Sequence, residues 1–423
     1  MRPGAAGSRT TRLELFYDLV FVFAFINVTT LTASLLSPAN LYRCLLVLAL
    51  LWWSWTGFAR LGNAVRADQG VLPVVGVVTV AATFLLVLSV PSAFADRPGG
   101  LNGPLVFAGC YFAIRMAQLA VFSWLDRSDP LRLRRLLLRA VLPTVATALL
   151  VVAGTVPPRL ADRPYAVALQ LVLWTVALLV EYVGGVTLAS RWWVVVSAGH
   201  WAERHALMVL VALGESIIAL GLGPKTGLPL TGPVAAAALL GVLVVAVLWW
   251  AYFDTLAYAL EQALHHARDP AARLRLCRDV YTFLHLPLIA GTILFALGLK
   301  DLLADAASPD TPTWGPPLGG FWVAILFGGV GLYLLSLVAC ALVALREVHW
   351  PLVITVVALA VVAPVVAPVP ELASLLVLAV LVTAGVAVET FQEDGRRRRI
   401  RQLALEEQLA AEADQSHWRQ EHL

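Results

Sequence analysis

Glu14 and Asp18 stand four residues apart in the stretch RLELFYDLVFVFAFIN, Arg12 to Asn27, and residues at that spacing share one face of a helix. Leu19 to Leu36 carry no charge. Together with Leu13 to Tyr17 they make a segment long enough, at about 1.5 Å per residue, to cross a hydrocarbon core of about 30 Å. Asp18 then lies about one and a half turns inside the membrane. A lone carboxylate there costs about 2.5 kcal/mol or more on insertion scales, so it should face other helices, water or a cation. The chemistry such an acid suits is proton or ion binding along a transmembrane path.

Four more buried ionisable groups join these candidates. Glu215, in ALGESIIALG, lies about eleven residues into an apolar span between Gly214 and Ser216, small residues that allow close helix approach. It is either a protonatable or cation-binding group or a packing carboxyl that stays protonated. Arg115 falls in mid-span and needs an acid from another helix, with Glu181, Asp18 and Glu215 as candidates. The role expected of that pair is structural, to fix helix register. His285, in FLHLPLIAG, has Pro287 two residues on. Proline there loosens a helix and frees backbone carbonyls, and the imidazole is either a proton relay or a helix-to-helix hydrogen bond. Arg12 is a further ion-pair candidate beside the first acids, and Asp254, in LWWAYFDTL, sits near a cytoplasmic helix end where snorkelling accounts for it.

Soluble chemistry has little to stand on. His265, His266 and Asp269 are the nearest approach to a metal set, but adjacent histidines point in different directions on a helix, and no metal site is expected there. There is no glycine-rich phosphate loop, no G-x-S-x-G and no H-E-x-x-H, and no cofactor is expected. Cys44, Cys110, Cys277 and Cys340 are scattered singly and read as free thiols.

The elements that must position these groups follow from composition. The chain has 423 residues, 60% hydrophobic and 13% charged, with mean hydropathy +0.82. That leaves too little polar surface for a soluble globule of this size, so the fold class is all-α and polytopic in a membrane. Apolar spans fall near 13–37, 42–60, 71–95, 104–124, 137–157, 165–189, 205–223, 231–257, 277–300, 319–344, 351–369 and 371–391, which makes twelve helices. The basic lead, residues 1–11, precedes an apolar run that contains acids and is too long for a signal peptide, so it reads as retained. Cytoplasmic segments hold the excess of arginine and lysine. Of the 30 basic residues, only Arg43, Arg97, Arg159, Arg163, Lys225 and Lys300 fall on the outer side when the N-terminus is inside. Arg115 lies within a span and the other 23 fall on the inner side. Both termini are therefore expected in the cytoplasm.

A repeat underlies the spans. Leu51-Trp52-Trp53 recurs as Leu248-Trp249-Trp250, 197 residues on, and the same offset carries Asp18 onto Glu215. Pro143 and Glu181 match Pro351 and Glu389 at an offset of 208. The expected organisation is a first six-helix repeat over 1–190, a second over 191–395, and a basic, helix-forming cytoplasmic tail over 396–423. Six is an even number, so the halves share one orientation about an axis along the membrane normal, as in parallel-repeat transporters.

ELFYDLVFVFAF, LWWSWTGF, ERHALMVLVALGESIIALG, LWWAYFD and HLPLIAG, in that order, resemble the bacterial low-temperature-requirement protein A family from about Arg12 to Glu389. The resemblance implies a polytopic inner-membrane protein; the family name reveals no molecular activity. Arg12, Phe16 and Asp18 form R-x-x-x-F-x-D, similar to the R-x-x-x-F-S-D signature of a potassium/proton channel family, with Tyr17 in place of the serine. In the second repeat only the acid, Glu215, remains of it. The reading is a transporter or channel for protons, a monovalent cation or a small solute. The alternative is a membrane-embedded enzyme or lipid-modifying factor using Glu215, Asp18 and His285 as acid/base groups. Expected partners are membrane lipids, through anionic headgroups at the basic loops and tail, an unidentified small solute or ion and, as an open possibility, a second copy of the chain. No nucleic acid is expected.

Overall fold

The computed structural model describes residues 10–392 apart from 35–36, 66–69, 71, 97–98, 126, 128, 132–133, 135–137, 139, 161, 190–194 and 223–229, together with scattered positions between 395 and 420. The elements are α1 (Arg12–Ser34), α2 (Pro38–Ala64), α3 (Leu72–Ser89), α4 (Gly103–Leu125), α5 (Val141–Arg159), α6 (Ala166–Ala189), α7 (Ala198–Leu222), α8 (Gly232–Phe253), α9 (Leu256–His266), α10 (Pro270–Leu276), a π-helical segment (Cys277–Leu284), α11 (His285–Ala306), α12 (Gly319–Leu345), α13 (Trp350–Val366) and α14 (Glu371–Gln392). Eleven described helical stretches are long and apolar enough to cross a membrane, and α13 is a shorter apolar helix. The protein is an all-α, multi-pass membrane protein. Basic positions such as Arg66, Arg97, Arg191 and Lys225, and part of the tail run from Arg396, lie outside the described residues.

Local chemistry starts the helices that matter most. Thr11 and Glu14 form a reciprocal cap on α1: the Thr11 N–H and hydroxyl donate to Glu14 Oε2 at 2.8 Å each, while the Glu14 N–H donates to Thr11 Oγ1 at 3.4 Å. This is the T-x-x-E capping box, which satisfies orphan donors at a helix start. Ser197 does the same for α7, its hydroxyl accepting from the His200 N–H at 3.2 Å. α7 therefore starts seven residues before the apolar run that marks it in the sequence, and His200 and Arg204, which fall outside the expected span at 205–223, are helical.

Helix α2 is buried almost all round, as expected of a helix that is apolar on every face and has other helices as neighbours. α3, α5 and α6 each leave an apolar side exposed, with Val77, Val78, Val145, Val152, Val172 and Leu179 among the outward residues. α11 and α12 cross so closely that a Cβ on Gly291 would lie 2.5 Å from the Gly329 carbonyl oxygen. Only glycine permits that approach, in the manner of small-residue crossings in membranes.

In the first six helices the packed pairs are α1–α2, α1–α3, α2–α4, α3–α4, α4–α5, α5–α6 and α2–α6. In the remainder they are α7–α8, α7–α11, α8–α11, α8–α12, α11–α12, α12–α13, α13–α14 and α8–α14, and the short α9 packs on α7, α8 and α12. The two sets meet where α1 and α2 pack on α7 and α11.

Candidate functional site

The contact between α1 and α7 carries a ladder of polar pairs. Glu14 Oε1 lies 2.9 Å from His200 Nε2, Asp18 Oδ2 accepts from Arg204 Nη1 at 2.6 Å, and Glu215 Oε1 accepts from Thr29 Oγ1 at 2.9 Å. In every pair the partners are 186 residues apart. A constant offset requires two helices running in the same direction and in register, so the first and seventh spans are parallel. It also corrects one expectation. Asp18 is level with Arg204 and Glu215 with Thr29, so the two acids stand eleven residues apart along the pair, about 16 Å. Rotation about the membrane normal alone does not carry Asp18 onto Glu215.

The lower part of the ladder is sealed. Glu14, His200 and Arg204 are buried, Arg204 completely. Asp18 Oδ1 accepts from Trp55 Nε1 at 2.8 Å, and the Arg204 guanidinium lies over the Trp55 ring, 5.5 Å from its centroid, a favourable cation–π placement. Arg204 Nε and Nη2 have no hydrogen-bond partner among the described residues. From the end of α2, Asn63 spans the joint: its Nδ2 donates to the Ser197 carbonyl at 2.7 Å and approaches His200 Nδ1 at 3.4 Å, while its Oδ1 accepts from the Val196 N–H at 2.8 Å.

Above this network the seam becomes apolar. Phe21, Ala24, Phe25 and Val28 of α1 and Met208, Val209, Ala212 and Leu213 of α7 are all buried. Tyr17, Phe21 and Phe25 form an edge-linked file of rings along α1. Beyond it Glu215 stands eighteenth in the 25 residues of α7, past the middle toward the far end. This differs from the expected mid-span position because the helix begins earlier. Its Oε2 and the hydroxyl of Ser216 are buried without a partner among the described residues. Lys300, whose Nζ donates to Thr30 Oγ1 at 2.9 Å, is near enough for the opposite charges of Lys300 and Glu215 to attract.

The remaining candidates divide cleanly. Glu181 pairs with Arg115 at 3.0 Å and accepts from Trp53 Nε1 at 2.9 Å, tying α2, α4 and α6 together within the first set of helices and away from the ladder. Arg115 also donates to Gln118 Oε1 at 2.7 Å. His285 is fully used: Nδ1 meets the Val280 carbonyl and Nε2 the Tyr252 hydroxyl, each at 2.9 Å. The helix is loosened where Pro287 requires it. The π-helical segment ends at Leu284, just before Pro287 in the first turn of α11, and within it the Thr282 carbonyl accepts from Trp52 Nε1 at 2.7 Å. Asp254 caps α8 and lines a crevice with Trp250, His349 and Glu389. Arg12 is exposed in the first turn of α1 and is not among the ion pairs of the described residues. The expectation that Arg12 or Arg115 would lie beside Asp18 or Glu215 is therefore corrected: Arg204 faces Asp18, and Thr29 and Lys300 face Glu215. One acidic trio, Asp301, Asp305 and Glu371, brings ligand atoms within 4.8 Å of one another, outside the seam.

His200, Arg204, Asn63 and Trp55 are the residues that sequence reasoning passed over. A signal for two of them was present: Glu14 and Asp18 repeat at i, i+4, and so do His200 and Arg204, giving two acids and two bases with matched helical spacing. His205, the next residue, is buried against Trp52, Trp55, Tyr281 and His285, with Nε2 unpartnered among the described residues.

The sequence profile of the bacterial low temperature requirement A protein (LtrA) matches residues 9–387. The chain belongs to the LtrA family. An uncharacterized protein of Rhizobium meliloti (strain 1021) is 27% identical to this LtrA chain over 304 residues, covering 69% of each. No solved structure matches. Membership supports an integral membrane protein of the LtrA type.

Proposed function

We propose that this protein is a transporter or channel for protons, a monovalent cation or a small solute, with its path along the seam between two six-helix units. The observation that carries this reading is that the ladder on α1 and α7 is built from opposite halves of the chain. Sites at the interface of repeated units are where membrane transporters place their coupling groups. The duplication is supported by the packing pairs, since each pair of the first set has a counterpart in the second, which adds α8–α11 and the contacts of α9, and by the second tryptophan of each L-W-W. Trp53 reaches Glu181 on α6, and Trp250 reaches Thr390, next to Glu389, on α14. The dry file of Phe21 and Phe25 between the two polar stations fits a closed conformation.

The test is flux. Proteoliposomes with an imposed gradient of potassium, sodium or protons are expected to lose at least one gradient in a protein-dependent way. Phe25→Cys with Val211→Cys, level at the 186-residue offset, is expected to cross-link the seam on oxidation and stop that flux until a reductant is added. Undiminished flux through the cross-linked seam would move the path elsewhere. The setting proposed is the bacterial cytoplasmic membrane, with both termini in the cytoplasm, supported by the distribution of arginines. Cysteine at Lys300 is then labelled from outside intact cells and cysteine at Arg275 only after permeabilisation; the reverse pattern would invert the topology.

A further inference from the structure

We infer that the cytoplasmic end of the seam is a proton-binding site, in which His200 takes up the proton, Glu14 holds it as an ion pair, and Asn63 is the positioning residue that reads whether it is loaded. What the proton does there rests on the transport reading; the site itself stands on geometry.

The hydrogen bonds fix the tautomer. Asn63 Oδ1 accepts from the Val196 N–H and Nδ2 donates to the Ser197 carbonyl. Exchanging the amide O and N would set donor against donor and acceptor against acceptor, so the second Nδ2 hydrogen faces His200 Nδ1. Nδ1 is then an acceptor without a proton, and the ring proton sits on Nε2, donated to Glu14. In this arrangement His200 is neutral, Glu14 carries one negative charge, and Asp18 with Arg204 sums to zero. On the imidazole a proton can enter only at Nδ1. The imidazolium so formed neutralises Glu14, so the network passes from one net negative charge to none.

Every carboxylate oxygen of the site already has a hydrogen-bonding partner. Glu14 Oε2 accepts from Thr11, Glu14 Oε1 faces His200, and both oxygens of Asp18 are taken by Trp55 and Arg204. The backbone of α2 closes the remaining side: a Cβ on Gly62 would fall 1.8 Å from Glu14 Oε1. A proton needs no such space.

Loading has a structural consequence. The new Nδ1–H points at the Asn63 Nδ2 hydrogens, donor against donor, and the same Asn63 amide holds Val196 and Ser197 at the start of α7. Protonation therefore loosens the joint between α2 and α7. The charged neighbours are consistent with this assignment: α1 presents Glu14 and, one turn on, Asp18; α7 itself carries Glu203 and Arg204; and α9 brings Glu261 Oε1 to 3.1 Å and His265 Nε2 to 3.8 Å from a Cβ position on Gly199. A neutral network also crosses or rearranges against the apolar file of Phe21 and Phe25 at less cost than a charged one.

Two readouts on the purified full chain test the site. Hydrogen exchange of residues 58–65 and 196–203, corrected for the intrinsic pH dependence of exchange, is expected to be faster at pH 5.5 than at pH 8 by about tenfold, the worth of one lost hydrogen bond. His200→Gln should abolish the difference, and Asn63→Leu should leave the joint open at both pH values. Glu14→Gln keeps the helix cap, since glutamine serves at that position, and guards against simple misfolding. In liposomes with a luminal pH dye, Glu14→Gln and His200→Gln are expected to slow proton equilibration to the rate of empty vesicles. Exchange in the wild type that ignores pH, or, where the wild type dissipates a pH gradient, a His200→Gln protein that does so at the wild-type rate, overturns the inference. Potassium or sodium flux that both variants leave intact overturns it while sparing the transport reading. A joint that opens with acid through His200 in a protein that dissipates no gradient supports the site and removes the transport reading.

Discussion

Asp18→Leu is expected to collapse the folded yield of the protein, and Asp18→Leu with Arg204→Met to restore most of it. Arg204 is completely buried, and its Nη1 bond to Asp18 is its one hydrogen bond among the described residues. Leucine at 18 leaves a guanidinium sealed among α1, α2 and α7 without its hydrogen-bonded partner and with only Glu14, one turn away, as counter-charge, and removing one partner of a buried pair costs about 3–5 kcal/mol. Arg204→Met alone leaves the opposite charge stranded, although Asp18 retains the Trp55 indole N–H and can take a proton, so the loss should be smaller. Removing both charges leaves only the Trp55 N–H without an acceptor, about 1–3 kcal/mol. Thermal unfolding in detergent across the four proteins forms a double-mutant cycle. A double variant as unstable as Asp18→Leu would show that the pair is not what the aspartate contributes. The transport reading adds a second expectation: the double variant conducts nothing, because the Asp18–Arg204 step of the ladder is gone.

What could be read in advance follows the range of the interactions involved. Twelve apolar spans were legible because membrane crossing is set by local length and composition, and α13 is short only because Pro364 and the turn at Ala367 end it early. The Arg115–Glu181 pair was legible because each residue sits alone in an apolar run and must find an opposite charge. The acids of α1 were legible for the same reason, but their partners were not. HWAERH reads as polar loop by hydropathy, yet the Ser197 cap carries α7 back through it. The register of 186 that seats His200 and Arg204 opposite Glu14 and Asp18 arises from packing between helices far apart in sequence, which no local pattern encodes. The R-x-x-x-F-x-D resemblance misdirected attention to Arg12 and Phe16. Both are exposed, Phe16 by 49%, and only Asp18 faces the seam. Pro287 did announce a loosened helix, but that the Thr282 carbonyl in it would accept from Trp52, 230 residues away, depends on the same long-range packing.

Glu215→Gln and Glu215→Leu are expected to fold as well as the wild type and to lose flux, a combination that separates a working group from a packing group. The geometry around Glu215 gives little structural reason for a carboxyl. Oε1 takes one hydrogen bond, from Thr29, and Oε2 takes none among the described residues. Without Glu215, the Thr29 hydroxyl still has the Phe25 and Ile26 carbonyls at 3.2 and 3.0 Å to receive its proton, so leucine strands no donor. A buried polar group with an unsatisfied oxygen is a net cost to folding, and replacing it by an apolar side chain of similar size is often neutral or stabilising. Lys300 does not reverse this, because it is part-exposed and keeps Thr30 as a partner. The unfolding midpoint of Glu215→Leu should therefore equal or exceed that of the wild type, whereas its flux in proteoliposomes should fall to the level of empty vesicles across pH 5 to 8. Glutamine keeps the shape and the bond from Thr29 but cannot titrate, so it should fail in flux in the same way. Normal flux with Glu215→Gln would remove the outer station from the path, and a lowered midpoint with Glu215→Leu would assign the carboxyl to packing after all.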